Sequence, residues 1–222
     1  MLVENGSTDD TVRIARRHRV RLFHDRLDGF GPAKNRAIAR ARFPWILSLD
    51  ADEVVTPALR RAIEHVLRVD GPGEAFDMPR RNHYFGRFLQ HGGKYPDLQL
   101  RLFRRGRARF NNKMVHERLA VAGPVGHLDA PLDHFPYRDL ATFFSKPGVY
   151  AAMEAGSQWR DGARPHVVNA VRWCAWRPVT RFIRRYLFRL GFLDGLPGFL
   201  ACVHDAVTKV LVFANLWSRG RA

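Results

Sequence analysis

The sequence predicts an α/β fold with parallel strands in its first part and a helical region at its end. Segments with helical character alternate with short apolar segments over residues 1–68, a pattern typical of βα units. One apolar segment, Trp45–Leu49, ends in carboxylates, and the last part of the chain combines arginines with aromatic residues. We therefore expect an α/β domain over residues 1–164 and a basic, aromatic helical region over residues 165–222.

Short strands and helices alternate in the N-terminal third of the chain. Strands are predicted at Leu2-Val3 and Val20–His24, with a helix over Thr11–Arg17 between them. A second helix, over Ala33–Arg42, leads to the strand that begins at Trp45. This order and spacing predict parallel strands that are joined by crossover helices.

Three carboxylates, Asp50, Asp52 and Glu53, follow the strand at Trp45. A continuous apolar run is typical of a strand that is buried on both faces of a parallel sheet. Because unpaired charges are excluded from such an interior, the carboxylates are expected at the carboxyl edge of the sheet, where α/β proteins bind ligands. Aspartates two residues apart can share a divalent cation that holds a diphosphate. A solvated turn is the alternative interpretation of this Asp-x-Asp pair.

A well-defined helix is predicted directly after the carboxylates, over Pro57–Arg68, with Thr56 as its cap. The middle of the chain is predicted to add strands to a mixed sheet with long loops. The predicted strands are Phe76–Pro79, Leu98–Phe103, Val115–Val121 and Gly126–Leu132. A further helix is predicted over Asp139–Trp159, with a kink or an interruption at an internal Pro-Gly pair.

Composition and charge limit the possible classes of protein. The chain has 222 residues, of which 46% are hydrophobic and 12% aromatic, and this argues against disorder. The two cysteines give no disulfide framework, and the N-terminus shows no signal-peptide pattern, so we expect a cytoplasmic protein. The formal net charge of +16 attracts polyanions such as anionic lipid or nucleic acid. No nucleic-acid-binding signature accompanies the charge, so a basic nucleic-acid-binding protein is the less favoured alternative and we expect no nucleic-acid partner.

The C-terminal region is predicted as helices that carry both arginines and aromatic residues. Val179–Leu190 interleaves the two kinds of residue, whereas Leu196–Trp217 is largely apolar. His204, Asp205 and Lys209 lie near the middle of the apolar segment and make a membrane span costly. Interfacial helices on an anionic membrane surface are favoured. Packing on the core or on a second subunit is the alternative.

Short motifs over nearly the whole chain give it a family resemblance. They are Glu4–Thr11, Lys34-Asn35, Leu47–Glu53, Pro79–Asn82, His91–Asp97, Arg101–Arg105, Val115–Arg118 and Leu190–Gly195. In these motifs the chain resembles the inverting GT-A glycosyltransferases of glycosyltransferase family 2, and in particular the lipopolysaccharide-core β-glucosyltransferase-like branch. The resemblance implies a Rossmann-like GT-A mixed sheet. Compared with the family pattern, the chain is expected to lack a first βα unit, and a non-catalytic remnant is therefore the alternative to an enzyme.

The resemblance also implies a reaction and a place in the cell. A sugar, expected to be glucose, would pass from a UDP-sugar to a lipopolysaccharide-core or other lipid-linked acceptor with inversion at the anomeric carbon. The reaction would depend on Mg²⁺ or Mn²⁺. The enzyme would be peripheral on the cytoplasmic face of the inner membrane.

Residues of the donor side are implied by the same resemblance. Those expected to bind the nucleotide or its diphosphate are Glu4, Asp9, Lys34, Asn35, Asp50 and Arg104. The expected metal ligands are Asp50, Asp52 and His116. Plainer roles stay open: a helix cap for Asp9, a solvated surface lysine for Lys34 and a satisfied polar side chain for His116.

On the acceptor side, an inverting transfer needs a general base that removes the proton of the attacking hydroxyl. The resemblance favours Asp97 as this base, with Glu117 as the competitor. The His91-Gly92-Gly93 sequence indicates a loop that tolerates unusual backbone conformations and faces the acceptor.

Overall fold

The computed structural model describes residues 1–26, 28–71, 73–111, 117–137 and 139–220. Within them the chain forms a mixed α/β fold, which confirms the predicted class. The α-helices are α1 (Thr11–Arg17), α2 (Phe30–Ala39), α3 (Pro57–Val69), α4 (Leu140–Arg160), α5 (Arg177–Ile183) and α6 (Gly195–Arg219).

The N-terminal strands form a small parallel sheet of their own. Strands β1 (Leu2–Glu4) and β2 (Leu22–His24) pair with each other, Leu2 opposite Leu22. The predicted parallel pair is therefore confirmed. Helix α1 connects the two strands, as the crossover of a parallel pair requires.

A larger mixed sheet forms the body of the protein. Its main path runs in the order β3 (Trp45–Leu47), β7 (Asp97–Arg104), β5 (Ala75–Tyr84), β11 (Leu132–His134) and β4 (Glu53–Val55). Two short strands, β6 (Arg87–Phe88) and β10 (Val125–His127), also pair with β5. A separate hairpin joins β8 (Ala108–Phe110) to β9 (Leu119–Val121). The segment predicted as one strand over Gly126–Leu132 thus contributes to two, and the first residues of the strand predicted at Val115–Val121 lie outside the described residues.

The environment of β3 differs from the prediction. A parallel strand buried on both faces was expected there, and this expectation is wrong. Strand β3 is half-buried and pairs antiparallel with β7, Trp45 opposite Arg104, at the end of the sheet path. The apolar run cannot reveal the partner of a strand, because pairing depends on residues far along the chain. Among the described residues, β1 and β2 pair only with each other and leave the outer edge of β3 without a strand.

Helix α3 covers the large sheet and begins where the sequence predicts. The Thr56 side chain accepts a hydrogen bond from the backbone N–H of Leu59 at 3.1 Å, and Pro57 occupies the first turn. Leu59 and Ile63 are buried against Met78 and further strand residues. The carboxylates that precede the cap are thereby fixed between a strand and a packed helix.

The C-terminal helices pack on one another. Helix α4 continues through Pro147, so it is not interrupted there, and the alternative of a kink stays a prediction. The helix lies along α6 through a cluster of small and aliphatic residues: Ala151, Ala155, Val212 and Leu216. The segment Gly191–Arg219 has the length and composition of a membrane span, and 33% of its most apolar window is buried within the fold. Its central charges, Asp205 and Lys209, form ion pairs inside the protein.

Candidate active site

A cleft of about 1630 Å³ opens at the edge of the large sheet. It lies where β3 ends and β4 and β7 begin, the edge at which the sequence predicted the site. The charged and titratable side chains that line it are Lys34, Asp50, Asp52, Arg80, Tyr84, Lys94, Asp97, Arg101, Glu117, Arg118, His134, Tyr137, Lys146, Tyr150 and Arg185. Acidic and basic side chains therefore line one cavity.

Asp50 lies between two cations. Its Oδ1 is 2.7 Å from Lys34 Nζ, and its Oδ2 is 2.7 Å from Arg101 Nη2. Arg101 also pairs with the buried carboxylate of Glu53, which in turn accepts a hydrogen bond from the Asp50 backbone N–H. Burial favours the neutral acid, but Arg101 and Lys34 outweigh it and lower the pKa of Asp50 to about 2. As a metal ligand, Asp50 would share its oxygens between the metal and these partners.

Asp52 has looser contacts than Asp50. Its Oδ2 lies 3.4 Å from Nε2 of His134, at the end of β11, and 3.7 Å from Nζ of Lys146 on α4. Burial opposes ionisation, and His134 and Lys146 outweigh it and lower the pKa of Asp52. Its carboxylate is thus ionised at neutral pH and faces the cleft.

The orientation of His134 is set by Asn82. The Asn82 Nδ2 donates to the carbonyl of Lys94 at 3.0 Å, so its Oδ1 is the acceptor that faces His134 Nδ1 at 2.6 Å. With Nδ1 donating to Asn82, Nε2 faces the carboxylate of Asp52 with a proton in the imidazolium, which stabilises the ionised acid, and with a lone pair in the neutral imidazole. Two lone-pair donors at this distance repel each other unless a proton or a metal cation lies between them. The pair therefore has the chemistry of two neighbouring metal ligands.

Asp97, at the start of β7, is held by four donors. Its Oδ2 accepts from Arg80 Nε at 2.9 Å, Arg80 Nη2 at 2.8 Å and Asn82 Nδ2 at 3.2 Å. Its Oδ1 accepts from Gln99 Nε2 at 2.7 Å. Burial favours the neutral acid, but Arg80 and the hydrogen bonds hold the pKa of Asp97 below its usual range. Through Asn82 and His134, Asp97 is connected to Asp52.

Glu117 shares the cleft with Asp97. Its Oε1 lies 2.7 Å from Nζ of Lys34, the lysine that also pairs with Asp50. Asn35, which follows Lys34 on α2, is not among the residues that line the cleft. Its amide donates to the Phe110 carbonyl at 2.8 Å and accepts from the Phe110 N–H at 2.9 Å, which ties α2 to β8.

Glu4 lies in the small sheet and does not line the cleft. Its carboxylate accepts hydrogen bonds from the backbone N–H groups of Ser7 at 2.8 Å and Gly6 at 2.9 Å, and pairs with His24. These hydrogen bonds lower the pKa of Glu4 to about 2. In this arrangement the carboxylate organises the turn that follows β1.

Asp9 and Arg104 are also placed away from the cleft. Asp9 accepts a hydrogen bond from the Thr11 N–H at 3.1 Å, in line with the capping role left open for it. Arg104 lies at the far end of β7, where it pairs with Asp70 at 2.6 Å and stacks 4.6 Å from the Trp45 ring.

His116, the third expected metal ligand, lies outside the described residues. The sequence reasoning assigned no role to His134, Lys146 or Arg185, which all line the cleft. His134 could have been found by the argument used for Asp50, because it follows a predicted strand that ends at the same edge of the sheet. Lys146 and Arg185 reach the cleft only because their helical segments pack against it, and no motif in the neighbouring sequence indicates that they line it.

Comparisons with known proteins identify the family of the chain. The family model described as glycosyl transferase family 2 matches residues 1–117. The lipopolysaccharide core biosynthesis glycosyltransferase LpsC of Rhizobium meliloti is 27% identical over 99% of this chain and 82% of its own length. An uncharacterized glycosyltransferase of Rickettsia prowazekii is 23% identical over 97% of this chain and 76% of its own length. The crystal structure of S. aureus TarS 1-349 aligns with 95% of this chain and 79% of its own, with 12% identity and a TM-score of 0.41.

Proposed function

Because this chain belongs to glycosyl transferase family 2, we propose that its cleft transfers a sugar from a UDP-sugar, with UDP-glucose as the first candidate. The acceptor would be a hydroxyl of a lipopolysaccharide-core or other lipid-linked glycan, which is the class of pathway that the name of LpsC gives for that relative. One observation carries the proposal: Asp52, His134 and Asp97 line the same cleft and are connected through Asn82.

Asp52 and His134 would hold a divalent cation. Their facing carboxylate and imidazole supply two ligands, and magnesium sites commonly use one or two protein carboxylates together with substrate phosphates. The described residues contain no cluster of three or more metal-ligating side chains, so the diphosphate itself would complete the coordination. When bound, the metal would act as a Lewis acid and stabilise the departing UDP.

The cations around Asp50 would orient the donor side. Lys34 and Arg101 each engage Asp50, and Lys34 also engages Glu117. These pairs keep Asp50 ionised and hold both carboxylates in place, so that little reorganisation is needed when the diphosphate charge develops. Lys34 is the better placed of the two cations to exchange a carboxylate for a phosphate oxygen, because its side chain is 17% exposed and that of Arg101 only 5%.

Asp97 would be the general base on the acceptor side. It is ionised at neutral pH, since its pKa is lowered, and Arg80 and Gln99 hold it in one orientation. The acceptor hydroxyl would give its proton to Asp97 as its oxygen attacks the anomeric carbon from the face opposite the leaving group. This geometry inverts the anomeric configuration. Glu117 remains the competing base.

The surface formed by the helical segment Arg172–Phe188, which includes α5, and by the start of α6 fits a peripheral position on the cytoplasmic face of the inner membrane. Large apolar side chains lie exposed there, among them Trp176 at 67%, Phe188 at 80% and Leu196 at 68%. Several arginines lie in the same helical segments, including Arg172, Arg177, Arg181 and Arg184. Exposed aromatic groups beside cations suit the boundary of an anionic bilayer.

The proposed reaction is tested by a donor screen with membrane lipid extract as the acceptor source. The purified protein is incubated with radiolabelled UDP-sugars and Mg²⁺ or Mn²⁺, and label is measured in the lipid fraction. Transfer from one donor that disappears with chelator and in an Asp97→Asn variant supports the proposal. Donor binding without any transfer favours the non-catalytic remnant.

A further inference from the structure

The loop that precedes Asp97 rests on the C-terminal helical region. We define the acceptor loop as residues His91–Lys94. The His91 N–H donates to Asp194 Oδ2 at 2.8 Å, and its Nδ1 lies 2.9 Å from Asp194 Oδ1. The Gly92 N–H donates to the Arg189 carbonyl at 2.7 Å. The first half of the loop is thus fixed by residues about 100 positions away in the sequence.

Arg185 holds the second half of the loop. Its Nε donates to the Gly92 carbonyl at 2.8 Å, and its Nη2 donates to the Gly93 carbonyl at 3.0 Å. Its Nη1 lies 2.7 Å from Oδ2 of Asp205 on α6. The Lys94 ammonium lies 3.0 Å from the same oxygen. The Asp205 carboxylate therefore pairs with two cations: Lys94, which is part of the acceptor loop, and Arg185, which donates hydrogen bonds to its backbone.

The ion cluster is shielded from solvent. The side chains of Lys94, Arg185 and Asp205 are 13%, 17% and 15% exposed. Burial favours the neutral acid, but the neighbouring Lys94, His204 and Arg185 hold the pKa of Asp205 well below its usual range. Removal of the carboxylate would leave two nearly buried cations facing each other, which is strongly unfavourable.

Close backbone packing makes the contact rigid. Gly92 and Gly93 both have positive φ, +65° and +68°. A Cβ at Gly191, beside the loop, would lie 2.8 Å from the Arg185 carbonyl oxygen and 2.9 Å from Cys202 Sγ. No larger side chain fits at Gly191 without a backbone shift, so the segment around Arg185 and α6 are held in contact with the loop.

The loop is connected in turn to the proposed base. The Lys94 carbonyl accepts from Asn82 Nδ2, and the same amide group donates to Asp97 Oδ2. Lys94 and Arg185 themselves line the cleft. A displacement of the acceptor loop would therefore move Asn82 and change the orientation of Asp97.

We propose that Asp205 is a positioning residue for the acceptor side of the site. It acts through Arg185 and Lys94, which fix the acceptor loop and hence Asp97. The inference rests on the proposed function, because it takes Asp97 as the group that faces the acceptor. The C-terminal helices would then be part of the catalytic unit as well as a surface for the membrane.

The test compares Asp205→Asn with Glu64→Gln, which removes an acid from an exposed ion pair with Arg60 on α3. Hydrogen–deuterium exchange is measured over residues 89–97 and over α3, and steady-state kinetics and donor binding are measured in parallel. In Asp205→Asn we expect faster exchange over residues 89–97, unchanged donor affinity and a fall in kcat for transfer of about 10- to 100-fold. In Glu64→Gln we expect wild-type values for all of these.

Arg185→Lys is the second variant, in case Asp205→Asn does not fold. It keeps a cation for Asp205 but cannot reach both loop carbonyls, so we expect the same faster loop exchange with a smaller fall in kcat. Unchanged exchange over residues 89–97, or unchanged transfer, in a folded variant would overturn the proposal. So would a loss of donor affinity equal to the loss of transfer, since this would indicate general disruption. If the wild-type protein transfers no sugar, the proposed function fails, and the exchange data still decide whether Asp205 fixes the loop.

Discussion

The two ends of β7 carry the same kind of ion pair in different surroundings. At one end Arg80 holds Asp97, with side-chain exposures of 19% and 30%, and both residues have further partners in the cleft. At the other end Arg104 pairs with Asp70, which is 64% exposed, and lies on the Trp45 ring. An arginine–carboxylate pair is therefore no sign of a site by itself. What distinguishes the Asp97 end, which lines the candidate active site, is lower exposure and hydrogen bonds to other polar groups of the cleft.

The difference also has an energetic side. An exposed pair such as Arg104–Asp70 contributes up to about 1 kcal/mol to the free energy of unfolding. Arg101 in the cleft is buried and is shared by Asp50 and Glu53, so its loss leaves these charges without their shared partner at a cost of about 3–5 kcal/mol.

The largest effect is expected at the cleft end, from Asp97→Asn. Loss of the general base should lower kcat for transfer by about 10²- to 10⁴-fold, with little change in donor affinity. Steady-state transfer kinetics and calorimetric donor titration measure the two quantities. Glu117→Gln is the matched variant, and a larger fall in kcat there than in Asp97→Asn would make Glu117 the base.

The next effect concerns stability. Arg101 is 4% exposed and pairs with Asp50 and Glu53, so Arg101→Met should lower the free energy of unfolding by about 3–5 kcal/mol. Urea denaturation at pH 7 measures this loss. The matched variant at the other end of β7 is Arg104→Met, for which we expect at most about 1 kcal/mol. Equal losses in the two variants would remove the contrast between the two ends.

A smaller effect is expected from pH. The folded-state pKa of Asp50 is about 2, below its unfolded value of about 4, so its ion pairs stabilise the fold fully above pH 4. As pH falls from about 4 through about 2, Asp50 takes up its proton and this stabilisation is lost. The thermal midpoint should therefore fall across this window in the wild-type protein and less steeply in Asp50→Asn. Identical slopes would show that Asp50 is not held by Lys34 and Arg101 in solution.

The smallest effect is expected from Arg104→Ala on activity. Because Arg104 lies at the far end of β7, donor affinity and kcat should stay within about twofold of wild type. The donor titration and transfer assay described above measure this. A tenfold loss of donor affinity would place Arg104 at the nucleotide, the role that the family resemblance gave it.

Local signals in the sequence predicted much of the fold and the core of the cleft. The cap at Thr56, the paired strands β1 and β2 and the carboxylates after Trp45–Leu47 each depend on neighbouring residues and were found. The pairing of β3 depends on β7, some 50 residues later, and it was predicted wrongly for that reason.

Long-range contacts account for what the sequence did not reveal. Arg185 reaches the Gly92 carbonyl across 93 positions, and no periodicity in either segment indicates this contact. Asp97 and Arg104 lie at opposite ends of β7, and the direction of this strand decides which of them enters the cleft. The sequence alone gave both residues a role in the site. The division of the chain at residue 164 stays a prediction.

The most direct test of the account is donor binding by calorimetry with and without metal. We expect the wild-type protein to bind UDP-glucose or a related UDP-sugar at least tenfold more tightly with Mg²⁺ or Mn²⁺ than with chelator. Asp52→Asn and His134→Gln should each abolish this difference, because they remove one of the two facing ligands. A high donor affinity that changes neither with the metal nor with the Asp52→Asn substitution would contradict a metal-dependent donor site.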